Sequence, residues 1–346
     1  MPTLGLDIGG ANLKAACADG RALTVPFAIW KTPDRLAEEL THLTAIWSHC
    51  ETWAVTMTAE LADCYATKAE GVQRILEQVQ QAAKGRTVKV WSTGGEWLTL
   101  ERATTNPFAV AAANWHALAT WVGSHYPTEA VLLVDIGSTT SDLIPLQNGR
   151  PRTVGLTDVA RLLAGELVYT GIRRTPLCAV APAVSFQGQR CRLAAELFAT
   201  TIDLYLLSGD LPEDTADCET ADNRPATREA AHNRIAHQIC CDTSECDVHA
   251  AQEIARQLAD QQLDTLAAAL KTVMARLTQP LQRIVISGSG AFLAERLVAA
   301  DPNLRHLPVV NLQSLLSPET STAACAYALA ALADGASPTD SSWAKR

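Results

Sequence analysis

Apolar residues run along this chain in two rhythms. Short runs of aliphatic and β-branched residues alternate with longer stretches whose apolar residues recur every three or four positions. The short runs predict strands at 3–8, 12–18, 22–29, 52–57 and 87–92, and again at 130–136, 141–147 and 282–286. The periodic stretches predict helices at 33–47, 68–84 and 106–124, then 157–168, 191–206, 227–240 and 247–277, one from Ala291, and a last one at 317–333. In Asp34 to Trp47, for example, Leu36, Leu40, Leu43 and Trp47 share one helical face. Asn148-Gly149 marks a hairpin turn.

The pattern divides the chain into two α/β lobes, 1–126 and 127–346. A helical insertion fills about 157–277 of the second, and the last helix is a candidate to pack back on the first. Ser208 to Arg224, SGDLPEDTADCETADNR, reads as an acidic loop, and the stretch from Gly335 as a loose tail.

One phrase is written twice. Leu4 to Ala15 reads LGLDIGGANLKA, and Val134 to Leu143 reads VDIGSTTSDL. Each ends a strand in Asp, turns on Gly and small residues, and returns as a strand. Gly9 and Gly10 let the first turn tighten so that its N–H groups can face an anion. Asn12 adds an amide, and Lys14 adds a charge on the same face of the returning strand. The second copy offers Asp135, Gly137, Ser138, Thr139, Thr140 and Asp142. Two such carboxylates, Asp7 and Asp135, suit a hydrated Mg²⁺ held through water, with phosphates between the turns. A third Gly-rich element, IVISGSGAFLAERL at 284–297, sets Ser287, Gly288, Ser289 and Gly290 at a strand-to-helix turn.

This order of strand–turn, strand–turn, strand–GxG–helix resembles the actin/sugar-kinase/Hsp70 superfamily, which implies a duplicated, ribonuclease H-like fold with a cleft between lobes. Three further phrases, TMTAELADCYATKAEGV (56–72), AAANWH (111–116) and ELVYTGIRRTP (166–176), are similar to the hydantoinase/oxoprolinase-related branch linked to tetrahydromethanopterin C1 transfer. That resemblance implies a transferase of methanofuran or methylofuran assembly. Such an enzyme joins an (aminomethyl)furan-methyl diphosphate to the phenol of a tyramine or tyrosine-type acceptor and releases pyrophosphate. The alternatives are an ATP-dependent hydantoinase-like enzyme or small-molecule kinase, with adenosine at Ser287–Gly290, and a non-catalytic nucleotide sensor. Ala11, where sugar kinases often carry a hydroxyl, and SGSG in place of a triple-Gly turn both depart from the kinase pattern.

Ether formation needs a base for the phenol proton, and the candidates in order are Glu166, Asp158 and Glu60. Glu60 and Asp63 equally fit a helix start capped by Thr58. Asn114 and Trp115 are candidates for substrate contact, although a core Trp is the commoner use. Arg173 and Arg174 suit a carboxylate or phosphate, or an ordinary surface. Lys31 and Lys68 flank turns near the expected cleft. His116 is an acid–base candidate, against the commoner structural histidine.

Charge and composition then narrow the partners. Apolar residues make up 48% and charged ones 19%, enough for two cores. The net charge of −9, without a basic stripe, argues against nucleic acid and anionic membranes. Small-molecule substrates are the expected partners, with a homodimer left open. The start MPTLGLDIGG enters a strand with no secretory pattern, and the ten Cys lack framework spacing, so reduced thiols in the cytoplasm are expected. His237, Cys240, Cys241, Cys246 and His249 crowd one segment, but without paired Cys-x₂-Cys knuckles they read as thiols near a helix turn rather than a zinc site.

Overall fold

The computed structural model describes residues 2–335. The tail beyond Gly335, expected to be loose, lies outside them. Fourteen strands occur among the described residues: β1 Thr3–Ile8, β2 Asn12–Cys17, β3 Ala22–Pro26, β4 Thr52–Met57, β5 Thr87–Trp91, β6 Trp97–Thr99, β7 Val131–Ile136, β8 Ser141–Gln147, β9 Arg150–Pro151, β10 Leu167–Val168, β11 Ala183–Phe186, β12 Gln189–Arg192, β13 Arg283–Ser287 and β14 Val309–Asn311. They form two large sheets. The first runs β3-β2-β1-β4-β5-β6; the second runs β10-β8-β7-β13-β14, with β9 on the flank of β8. In both, an antiparallel hairpin (β1–β2, β7–β8) is extended by parallel strands from its first member (β4, β5; β13, β14). The two halves therefore repeat one ribonuclease H-like plan, and the whole is the two-lobed, actin-like α/β fold.

Alternation decides which face each strand buries. In β1, Leu4, Leu6 and Ile8 pack outward with Leu36, Leu40, Val72 and Ile75 from helices Leu36–Leu43 and Lys68–Ala83. In β7, Leu132, Val134 and Ile136 pack outward with Leu204, Ile254, Leu258 and Leu293. The opposite faces look at each other across two helices, Asn114–Ser124 and Ala324–Ala333. Trp115, Leu118, Ala328 and Ala331 share a core with Val131 and Leu133. On the other side, Gly5 lies so close to helix Ala324–Ala333 that a Cβ would stand 1.8 Å from the Ala326 carbonyl oxygen. The Ala-rich helix and the glycine are thus two halves of one close approach. The last helix packs on β1, β2 and β4 of the first sheet.

Several sequence expectations change. The stretch 106–124 is not one helix: Pro107–Val110 ends, Ala112 takes φ +49°, and a new helix begins at Asn114. The stretch 317–333 breaks at Ala323 into Pro318–Thr322 and Ala324–Ala333. Residues 191–206 are not helical throughout; Gln189–Arg192 pairs with Ala183–Phe186, and the helix starts after Thr200, whose capping box with Asp203 fixes its N-terminus. The insertion is accordingly mixed rather than all helical. The Asn148-Gly149 turn holds, with φ +53° and +73°, the left-handed pair that a two-residue hairpin needs. Among the described residues no helix is long and apolar enough to cross a membrane.

Candidate functional site

The two repeated phrases form the same turn. The Gly9 N–H donates to the Asn12 carbonyl at 3.0 Å, and the Gly137 N–H donates to the Thr140 carbonyl at 2.9 Å. Asp7 pairs in register with Lys14, and Asp135 with Asp142. Gly10 therefore corresponds to Ser138, Ala11 to Thr139 and Lys14 to Asp142. The Ser138 and Thr139 hydroxyls sit 3.4 Å apart on the second turn.

Asp7 is buried and Asp135 half-buried, and desolvation shapes their protonation. Desolvation raises Asp7 above the usual carboxylate range, with Lys14 opposing the rise. Asp135 is raised to about 6, by burial first and then by Asp142, with the Ser287 hydroxyl and Lys14 pulling back and Asp7 adding to the rise. One oxygen of Asp7 is buried without a hydrogen-bond partner, and so is the hydroxyl of Thr56, its register neighbour on β4. Buried polar atoms left without partners are costly unless something else meets them. A hydrated cation fits this desolvated carboxylate pair, and Mg²⁺ bound through water is the species those donors suit.

The SGSG turn closes over the second carboxylate. Ser287 lies beside Asp135 in register, and Gly288 takes φ +87° with its missing Cβ 2.7 Å from Asp135 Oδ1. The Gly290 N–H donates to the Ile136 carbonyl at 2.8 Å. Ser287 and Gly288 therefore meet Asp135, Gly290 packs on the adjoining Ile136, and Ser289 is exposed.

Asp142 carries a negative charge where the first hairpin has Lys14, and a cation reaches it from outside. The Arg161 guanidinium donates to Asp142 at 2.6 Å and to the Glu166 carbonyl at 3.2 Å. Burial raises Asp142, and Arg161 holds it down. Arg161 also lies 3.9 Å over the Trp115 ring. Sequence reading passed over Arg161, since an arginine on a short apolar helix looks like surface.

A second group lies where Lys68 and Asp158 meet, at 3.2 Å, joining the start of helix Lys68–Ala83 to the start of helix Asp158–Ala164. Glu60 is nearby and buried, and one of its oxygens has no hydrogen-bond partner. Burial raises it to about 7; backbone amides, including that of the strained Ala112, and the Lys68 charge oppose the rise, and Asp158 adds to it. Gly71 permits this placement, because a Cβ there would strike the Glu60 carbonyl at 2.2 Å.

Other expected site residues are placed elsewhere. Glu166, first among the base candidates, is turned to structural use: its two oxygens accept the Val154 and Gly155 N–H groups at 2.7 and 3.1 Å, and Arg276 stands at 3.3 Å. Trp115 is core, its face covered by Arg161, so it offers no ring for stacking. Asn114 accepts the Trp115 N–H at 2.8 Å at its helix start. His116 is driven down to about 4 by burial and Arg161, and it accepts from the Trp91 indole, so it is a neutral structural histidine. Arg173 is ion-paired with Asp217. Arg174 makes no ion pair among the described residues; its guanidinium lies 5.4 Å from the Trp30 ring centroid. Cys325, at the start of the last helix, feels Asp7, Asp135, Lys14 and Asp142 together, and burial raises its thiol well above the usual range. Neither Trp30 nor Cys325 carries a sequence signal, since each lies outside the repeated phrases. Among the described residues, His237, Cys240, Cys241, Cys246 and His249 do not converge into a group of three or more that could hold a metal.

Comparison with known proteins sets this geometry beside relatives. The description hydantoinase/oxoprolinase matches residues 51–334. A Methanocaldococcus jannaschii protein is 34% identical over 290 residues, 83% of this chain and 86% of its own. It is a (4-{4-[2-(gamma-L-glutamylamino)ethyl]phenoxymethyl}furan-2-yl)methanamine synthase. A protein of the same name from Methanococcus vannielii is 27% identical over 201 residues, 58% of this chain and 89% of its own. Among solved structures, nucleotide-free acetone carboxylase superposes with a TM-score of 0.58 at 11% identity, over 95% of this chain and 70% of that one. At that identity the likeness concerns the fold alone.

Proposed function

The chain belongs to the hydantoinase/oxoprolinase family, and from that premise we propose that it is a synthase joining a furan-methyl diphosphate to a phenol through an ether, with pyrophosphate released, in methanofuran- or methylofuran-type cofactor assembly. The names of its relatives supply the ether; the observation that carries the reading is the pair of matching turns above two desolvated carboxylates. A leaving diphosphate needs donors on both sides and a counter-charge, and the turns at 9–12 and 137–140 with Lys14 offer them. Asp7 and Asp135 would hold Mg²⁺ through water, and the ion would offset charge on the departing pyrophosphate.

The step balances simply. The phenol oxygen forms a bond to the furan-methyl carbon as that carbon's bond to the diphosphate oxygen breaks. The phenol proton goes to a carboxylate, and the electron pair leaves with pyrophosphate. Glu60 takes the role of base, because its value of about 7 sits near the working pH and its free oxygen faces no partner. Asp158, held by Lys68, orients that corner.

The test is direct. Purified protein with Mg²⁺, a furan-methyl diphosphate and a tyramine-type phenol is expected to release pyrophosphate and yield the ether by mass spectrometry. Bound diphosphate with no ether formed, across several phenols, sinks the reading. Tight MgATP binding with hydrolysis moves the chain to the ATP-dependent side of its family.

A further inference from the structure

Carbonyls at matching positions of the two turns anchor the segments that carry Trp30 and Arg174. The Ile29 N–H donates to the Gly10 carbonyl at 3.1 Å, one residue before Trp30. The Arg173 and Arg174 N–H groups both donate to the Ser138 carbonyl, at 3.0 and 3.1 Å. Gly10 and Ser138 are equivalent in the repeat, so the two segments stand at matching places beside the two turns. Their side chains meet, with the Arg174 guanidinium 5.4 Å from the Trp30 ring centroid, so the contact ties the flank of one turn to the flank of the other. The two neighbouring arginines differ in what neutralises them. Arg173 is committed to Asp217, whereas Arg174 is exposed and, among the described residues, its guanidinium meets only the indole face.

Charge counting asks for one more cation here. Asp7 and Asp135 contribute two negative charges when ionised, and Lys14 one positive. Asp142 and Arg161 cancel. A divalent ion leaves one net positive charge, less than a diphosphate carries. The guanidinium fork is the group that binds phosphate oxygens in pairs.

We propose that Arg174 is a diphosphate-binding residue, parked on Trp30 in the free protein and transferred from the indole face to the phosphate oxygens when a diphosphate enters between the turns. This rests on the reading of the turns as a diphosphate site. It gives Trp30 a defined part: the ring holds the cation near the site without neutralising it.

The experiment uses the full chain and Mg-pyrophosphate, by calorimetry and tryptophan fluorescence. Wild type binds. Arg174→Ala binds about ten- to a hundredfold more weakly, Arg174→Lys falls between, and Arg256→Ala, which removes an exposed charge from helix Val248–Met274, matches wild type. Trp30→Ala, with no ring to leave, binds at least as tightly as wild type. The fluorescence change on adding Mg-pyrophosphate is present in wild type and lost in both Arg174→Ala and Trp30→Phe. Binding to Arg174→Ala within about twofold of wild type overturns the assignment and leaves the diphosphate reading standing. Loss of affinity in Trp30→Ala equal to that in Arg174→Ala overturns the parked arrangement. No binding by wild type removes the diphosphate reading, and the assignment falls with it.

Discussion

Lys14 and Asp142 hold the same place in two hairpins of one pattern, and they carry opposite charges. In the first hairpin the cation opposes Asp7 directly. In the second a carboxylate opposes a carboxylate, and Arg161 brings the missing charge from a neighbouring helix at 2.6 Å. That guanidinium is buried, so the pair is intolerant of losing one member. Arg161→Met is expected to cost about 3–5 kcal/mol, because it leaves Asp142 buried and alone. Adding Asp142→Asn is expected to restore most of that stability. Urea melts of the two variants decide it; a single mutant as stable as wild type contradicts the account.

Glu60 gives a prediction in pH. Its folded value of about 7 lies above the 4.5 it has when exposed, so the native state holds its proton more tightly. The neutral form is native-compatible below 4.5, and stability is lost as pH rises through the window from 4.5 to about 7. Glu60→Gln is therefore expected to gain on wild type as pH rises, by at most on the order of 3 kcal/mol, with the gap closing in acid. The same variant is expected to bind Mg-pyrophosphate normally while turnover falls about a hundredfold or more. The activity limb that rises through pH 7 is expected to disappear with it. A retained limb assigns the base elsewhere.

The partnerless oxygen of Asp7 makes magnesium visible without turnover. Mg²⁺ is expected to raise the melting temperature of the wild type and to do nothing for Asp7→Asn. In metal-free buffer Asp7→Asn is expected to match or exceed wild type, since it removes a desolvated charge. The stabilisation by Mg²⁺ is expected to fade below about pH 6, where Asp135 takes up its proton. Equal stabilisation of both proteins places the ion elsewhere.

Gly288→Ala tests the third turn. The new Cβ would meet the Ile136 carbonyl oxygen at 2.2 Å and Asp135 at 2.7 Å, on a backbone at φ +87°. The expected outcome is a loss of several degrees in melting temperature together with loss of the Mg²⁺ response, because the methyl group displaces Asp135. Gly10→Ala, whose Cβ meets nothing within 4 Å, is the internal comparison and is expected to fold as wild type.

The central strands were legible because each is a short apolar run ending at a polar tip. Thr3–Ile8, Thr52–Met57 and Ser141–Gln147 fall where the pattern put them, four more expected strands within a residue, and Ala22–Pro26 ends three residues early; six short strands among the described residues, Leu167–Val168 in an expected helix being one, were not expected. The repeated Asp-Ile-Gly phrase located the turns for the same reason: its chemistry is local. What depends on distant partners was not legible. The run of good helix formers breaks at Ala112, where Ala111 bridges Met57 and the Ala112 amide meets Glu60, and no local preference announces that. By its place in the sequence Glu166 reads as a cleft carboxylate, yet the distant Val154 and Gly155 amides occupy it. Arg161 and Trp30 matter through contacts across many residues of chain, which spacing does not encode.

The contact of Gly5 with Ala326 also bears on how the chain assembles. The face that the first strand turns inward is covered by a helix more than three hundred residues further along the chain. Until Ala324–Ala333 packs, β1 has one covered face and one bare one, with Asp7 near the end of this interior strand. The carboxylate's buried, proton-holding character therefore depends on a helix far along the chain. Cooperative assembly of the two halves therefore waits on one distant, alanine-rich helix.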